Sequence, residues 1–297
     1  MNNDCLAELS GATKCFGKIT ALDGLDLQVM PGELLAVLGP NGAGKTTAIN
    51  LLLGLDRPDK GTARLFGHSP ELIEARRKMG VMMQEVTLPP DLRVGEQIDL
   101  VASYYPNPYS VDAAMEMTRT TSLANRPYGK LSGGQKRQAQ FAMAVCGRPK
   151  LLFLDEPTVG LDVQARELMW NTLRKLVSEG SSIVLTTHYL EEAEALANRV
   201  VVIVKGRVIA SGTVNEMRAL VVRKQIICMT RLTPEEIKSW PGVGGVSRDR
   251  DRLVITATNA ETVTRRLLAR DGDLGELEIR RAGLGEIFTE LTQEAAS

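Results

Sequence analysis

The residues best suited to chemistry in this chain lie in Gly39-Pro-Asn-Gly-Ala-Gly-Lys-Thr46, which matches the pattern GxxxxGK[ST]. Glycines at 39, 42 and 44 let the backbone turn where a Cβ would clash, so successive N–H groups point inward at an anion. Lys45 is placed to reach β- and γ-phosphates, and the Thr46 hydroxyl to ligate Mg²⁺. Gly39, Asn41, Gly42, Ala43, Gly44, Lys45, Thr46 and Thr47 together form the expected phosphate-binding set. A lone glycine loop can also be an ordinary turn. Here an apolar run, Leu34 to Leu38, leads in and a helix from Thr46 to Leu55 leads out, with its N-terminal dipole favouring the same negative charge.

Further on, Leu151-Leu-Phe-Leu154 stops on two carboxylates, Asp155 and Glu156, and Pro157 breaks the run. Asp155 is positioned to hold Mg²⁺ through water. Glu156, directed the other way by strand alternation, can polarise an attacking water. Adjacent acids at a strand end are often only solvated; a phosphate loop at the same sheet edge favours the catalytic reading. His188 follows a third apolar run and can donate to a γ-phosphate and sense its loss, and Gln84 can orient water or bind the metal. Leu131-Ser-Gly-Gly-Gln135 opens another helix, with Ser132, Gly133 and Gly134 offering free N–H groups. The first loop already wraps one nucleotide's phosphates, so this second anion-binding end is expected to grip a nucleotide held by another copy. Phe16, an aromatic flanked by polar residues, could stack on a purine or simply fill the core. His68 reads as surface.

The elements that must position these groups follow from periodicity. Cys5 to Met30 alternates polar and apolar residues, as half-buried antiparallel strands do, and the turn-rich Gly54 to Gly67 reads as a hairpin completing that layer. Pro70 to Lys78 is expected as a short helix and Gly80 to Glu85 as a buried strand ending in polar residues. Between about residues 86 and 148 the pattern is helical: Val94 to Ala102, Val111 to Leu123 and Gln138 to Cys146. Val163 to Glu179 and Leu190 to Ala197 read as helices. Ser182 to Thr187, Arg199 to Val204 and Val208 to Ala210 read as strands. Strands alternating with helices give an α/β fold with a parallel sheet, and ligands of such sheets sit beyond the carboxyl ends of the strands. Four strand ends carrying the loop, Gln84, Asp155 with Glu156, and His188 should therefore converge on one nucleotide. Beyond residue 220 the order strand, helix, strand, strand, helix, strand is the ferredoxin-like arrangement, with a final helix over Leu284 to Leu291 carrying Ile287, Phe288 and Leu291 on one face.

The chain has 297 residues, a prior of about two domains. Its 36 basic and 36 acidic residues leave no overall field toward nucleic acid or an anionic membrane. Apolar runs such as Val200 to Val204 fall far short of the ~20 residues of a membrane span. The opening MNNDCLAELS lacks a basic-then-apolar signal pattern, so the expectation is a soluble cytoplasmic chain. Four widely spaced cysteines form no CxxC and suggest ordinary thiols.

Taken together and in this order, GPNGAGKTT at 39 to 47, Gln84, LSGGQ at 131 to 135, LLFLDEPTVGLD at 151 to 162 and His188 resemble the ATP-binding subunit of an ABC transporter, over about residues 5 to 220. The resemblance implies a P-loop ATPase with an antiparallel β subdomain and a helical subdomain (about 86–148) in residues 1–220. Residues 221–297 would form a small accessory domain. It implies ATP and Mg²⁺ as ligands and a head-to-tail dimer with two ATPs at the interface. Ser132, Gly133, Gly134 and Gln135 would act in trans, and Asp162 would link the two sites. It assigns Glu156 as general base and His188 as switch, with Lys45 and Gln84 also in the catalytic set, and Thr46, Gln84 and Asp155 toward the metal. Phe16 matches the family's adenine-stacking aromatic, where Tyr is commoner. The permease would be a separate membrane polypeptide, with this chain at the inner face of the cell membrane and no nucleic acid partner. The ending GLGEIFTELT is similar to subunits serving drug, polysaccharide and lipid-linked exporters, although Gly285 departs from their usual acidic residue. An ATPase of the same type acting on a ribosome or DNA is the alternative, but such chains usually carry two cassettes or a long coiled coil.

Overall fold

A computed structural model of the chain describes residues 5–220 and 224–281. Contacts divide them into two units between Val214 and Asn215, ahead of the boundary at 220 expected above.

In the first unit, β1 (Ala7–Phe16) and β2 (Ile19–Val29) form an antiparallel hairpin. Leu22, Leu25, Leu27 and Val29 are buried, alternating strictly from Leu25 on, the one-sided pattern of a sheet with one wet face. β3 (Leu34–Leu38) is buried at every position and leads into α1 (Lys45–Leu52). The expected hairpin over Gly54 to Gly67 is a single strand, β4 (Lys60–Leu65), because its pairing partner is the free edge of β1, giving the order β2-β1-β4. After α2 (Ile73–Arg76) and β5 (Met79–Met82) come α3 (Val94–Ala102), α4 (Val111–Met117) and α5 (Gly133–Val145). The expected helix over Val111 to Leu123 stops at Met117 and resumes as a short 3₁₀ turn, Thr121–Leu123, after Arg119 takes a left-handed backbone. Val94, Ile98, Ala114, Met115, Ala139 and Met143 are the core of this helical layer. It meets the sheet closely where a Cβ at Gly80 would run into the Ala144 carbonyl, so only glycine lets α5 lie against β5.

Next come β6 (Leu151–Asp155), α6 (Val163–Ser178), β7 (Ser182–Thr186), α7 (Leu190–Leu196), β8 (Arg199–Val204) and β9 (Arg207–Gly212). The six-stranded sheet has the order β5-β6-β7-β3-β8-β9, parallel except for the antiparallel edge pair β8 and β9. β3, β6 and β7 are wholly buried, which is why their central residues read as apolar runs without alternation. Their register matters most for the site. Asp155 pairs with Thr186 and Thr186 with Val37, so the three strands end level at one edge of the sheet.

α8 (Val214–Leu220) leads into the second unit: β10 (Lys224–Met229), α9 (Pro234–Lys238), β11 (Val243–Asp249), β12 (Arg252–Ala257), α10 (Ala260–Arg270) and β13 (Gly275–Arg281). Its antiparallel sheet runs β11-β12-β10-β13. Thr233 and Asn259 cap the helices, and Ile226, Cys228, Leu253, Ile255, Val263 and Leu267 fill the core with Trp240. The helix expected over Leu284 to Leu291 and the ending with Gly285 lie outside the described residues. Among the described residues no helix is long and apolar enough to cross a membrane.

Candidate nucleotide-binding and catalytic site

Gly39 to Gly44 connects the end of β3 to α1. Gly44 sits at φ +105°, where a Cβ would lie 2.5 Å from the Ala21 carbonyl oxygen, and a Cβ at Gly39 would collide with the Ile203 carbonyl. The loop is therefore a cradle that only glycine can line at those two positions. Lys45 begins α1 and is nearly buried, its Nζ donating to the carbonyls of Gly39 at 2.7 Å and Pro40 at 3.1 Å. Burial pulls its pKa below the ordinary lysine value, and the nearby Glu156 and Asp155 carboxylates oppose that pull. A half-desolvated ammonium facing two acids at a helix N-terminus is suited to bridging anionic oxygens.

Asp155 ends β6 and is buried. Thr46 Oγ1 lies 3.5 Å from its Oδ2, and the Thr186 hydroxyl donates to its Oδ1. Glu156 does not continue the pleat as expected. At φ +51° it adopts a left-handed backbone, so a turn rather than strand alternation separates the two carboxylates. Its N–H donates to the Thr186 carbonyl and hydroxyl, both at 3.1 Å. Its Oε2 lies 2.6 Å from His188 Nδ1, with the glutamate side chain 8% and the imidazole 49% exposed. The acid is thus almost wholly buried, and the imidazole against it is half exposed to solvent.

Gln84 lies two residues past β5, exposed; its backbone is tied down, while its side chain has no hydrogen-bond partner among the described residues. Phe16 ends β1 with half its surface exposed and Lys14 Nζ 5.4 Å from the ring centre, which answers the open choice in favour of a surface aromatic over core. Ser132 caps α5: its Oγ accepts from Gln135 N–H and Gln135 Oε1 accepts from Ser132 N–H. Ser132 and Gly133 are exposed, so the helix tip is open to a second molecule. Asp162 caps α6 through Ala165 N–H at 2.8 Å and is likewise exposed, and His68 is on the surface.

A family model described as ABC transporter matches residues 22–159. Nod factor export ATP-binding protein I of Paraburkholderia xenovorans is 38% identical over 294 residues, covering 96% of each chain. This chain belongs to the ABC transporter family. Daunorubicin resistance ATP-binding protein DrrA3 of Streptomyces coeruleorubidus is 34% identical over 97% of this chain and 96% of its own length. The solved dimeric structure of MJ0796, a bacterial ABC transporter cassette, superposes with a TM-score of 0.63 at 28% identity, over 70% of this chain and 98% of the cassette. The ABC ATPase fold is thus shared with its parallel core sheet, antiparallel layer and helical layer.

The donor set of this ABC cassette fits Mg²⁺. Thr46 Oγ1 and Asp155 Oδ2, 3.5 Å apart, set two hard oxygen donors side by side, the hydroxyl able to bind the ion directly and the carboxylate through a coordinated water. Among the described residues there is no cluster of three or more His, Cys, Asp or Glu that would suit a softer or richer site. Two residues at the site escaped sequence reasoning. Thr186 looks like one more residue in an apolar strand, and only its register opposite Asp155 gives its hydroxyl two catalytic-edge partners. Arg137 follows the LSGGQ run and could have passed for a solvated helix charge, yet it is buried against the backbone of Asp155 and Glu156.

Proposed function

We propose that this chain binds and hydrolyses ATP, with two copies closing head to tail on two nucleotides, and that the motion drives a separate membrane permease. The observation that carries the hydrolytic reading is the 2.6 Å contact between Glu156 and His188, beside the Thr46 and Asp155 pair, at the sheet edge that holds the glycine cradle. Loop amides and Lys45 bind the phosphates, and Phe16 offers its exposed ring to the base. Thr46 and Asp155 would hold Mg²⁺, with Gln84 near the water ligands, and the ion would neutralise phosphate charge. Glu156 takes the proton of the attacking water. His188 covers that carboxylate first; a γ-phosphate that draws the imidazole to itself uncovers the base as the site becomes complete.

The helix tip at Ser132, Gly133, Gly134 and Gln135, exposed at its first two residues, serves the nucleotide of the facing copy, with Asp162 at the boundary between the two sites. The dimeric cassette among the solved relatives supports this arrangement. Export as the direction is supported by the name of the Paraburkholderia relative, an export ATP-binding protein that matches along nearly the whole chain. The chain would then sit at the inner face of the membrane through its permease. Glu156→Gln tests the reading: it keeps the side chain's shape but removes the base. We expect phosphate release to fall by about 10²- to 10⁴-fold, with ATP affinity retained and a dimer accumulating on size-exclusion chromatography with ATP. Wild-type turnover in this variant would remove Glu156 from the mechanism.

A further inference from the structure

We propose that Arg137 is a positioning residue that sets the backbone of Glu156 and makes the placement of the base depend on where α5 lies. This rests on the reading of Glu156 as the base. The guanidinium is buried; burial lowers its pKa and the nearby Asp155 and Glu156 charges oppose that, but among the described residues none of its five hydrogen bonds goes to a carboxylate. Nη2 donates to the Glu156 carbonyl at 2.6 Å and the Asp155 carbonyl at 3.4 Å. Nη1 donates to the carbonyls of Met83 at 2.8 Å and Gln84 at 3.3 Å, and to Gln140 Oε1 at 3.2 Å. Gln140 is itself aimed by its amide, which donates to the Tyr128 hydroxyl at 2.8 Å.

A buried cation usually hydrogen-bonds an acid directly, because desolvation is costly without one. Here the planar fork is spent on peptide oxygens of two separate loops, an arrangement that fixes geometry. The need for that fixing is visible at Glu156, whose left-handed backbone is one that L-residues hold only when the surroundings over-determine it. Thr186 holds the N–H side of that residue and Arg137 the carbonyl side, so together they direct the carboxylate onto His188. Arg137 lies in the first turns of α5, the helix whose exposed tip is Ser132. A shift of that tip therefore moves the hand that holds Glu156 and the loop of Gln84 at once. A residue that merely staples the helical layer to the sheet would affect folding and nucleotide affinity together with turnover.

The test measures steady-state phosphate release, ATP affinity by calorimetric titration and thermal melting on the full chain, for wild type, Arg137→Lys and Gln140→Met. Lysine keeps the charge but cannot span both loops. We expect kcat to fall at least tenfold in Arg137→Lys and about threefold in Gln140→Met, with KM and Kd for ATP within twofold and melting within a few degrees. A kcat within twofold of wild type in Arg137→Lys, or a loss matched by an equal loss of affinity, overturns the positioning role. If Arg137→Lys does not fold, Gln140→Met decides, and unchanged kcat there overturns it. Wild-type chain that binds ATP without releasing phosphate overturns the reading of Glu156 instead, and this proposal with it.

Discussion

Replacing Thr186 by valine probes the catalytic edge without changing its shape. The side chain is fully buried at the end of β7, and its hydroxyl both donates to Asp155 and accepts from the Glu156 N–H. Valine removes a charge-assisted hydrogen bond, worth about 1.5–3 kcal/mol. The Glu156 N–H keeps the Thr186 backbone carbonyl at 3.1 Å, so no donor is orphaned and little is added on that side. The sum is about 2 kcal/mol, or roughly 4–8 °C in melting temperature for a unit of this size. Asp155 freed from one partner swings relative to Thr46, so half-saturation by Mg²⁺ should rise and kcat should fall about tenfold as Glu156 loses part of its support. Differential scanning calorimetry and phosphate release across a magnesium titration measure both effects, and Thr186→Ser, which keeps the hydroxyl, should restore most of each. A Thr186→Val protein within about 0.5 kcal/mol of wild type, with unchanged kcat and magnesium dependence, would refute the argument that this hydroxyl organises the acids.

Two further outcomes are expected beside those given for Glu156 and Arg137. Lys45→Ala removes the cation held over the cradle, and calorimetric titration should show ATP Kd raised about 10- to 100-fold; unchanged affinity would contradict the phosphate role of the loop. Glu192 is fully buried on α7, and its Oε1 accepts from Trp170 Nε1 at 3.1 Å. Burial raises its pKa above the ordinary 4.5, so the folded state binds the proton more tightly than the unfolded chain. The stability it contributes is therefore complete below 4.5 and is lost as pH rises toward the folded value. Glu192→Gln should flatten that decline, read as urea midpoints from about pH 4 to 7, and parallel profiles for the two proteins would rule the effect out.

Much of this molecule is legible from local pattern. The apolar runs at Leu34–Leu38, 151–154 and 183–185 declare strands buried on both faces, since a strand covered by helices has no polar side to alternate with. The cradle is legible because glycine is demanded by backbone conformation and close approach, both short-range properties of the loop. The reading of Gly54 to Gly67 as a hairpin went astray for the opposite reason. Turn residues there show where the chain bends, but which strand edge stands free to receive Lys60–Leu65 is settled elsewhere, at β1.

The sequence by itself determined the kinds of groups available for chemistry and the order in which strands deliver them. Tertiary structure alone decided how they meet. Side-by-side register across separate strands puts the Thr186 hydroxyl on Asp155, and a left-handed turn instead of pleat alternation sends Glu156 to His188. A helix from another layer brings the Arg137 guanidinium under the same peptide. Such contacts join residues tens of positions apart, and no periodicity encodes them. They arise from the packing of whole elements, which local propensity does not contain.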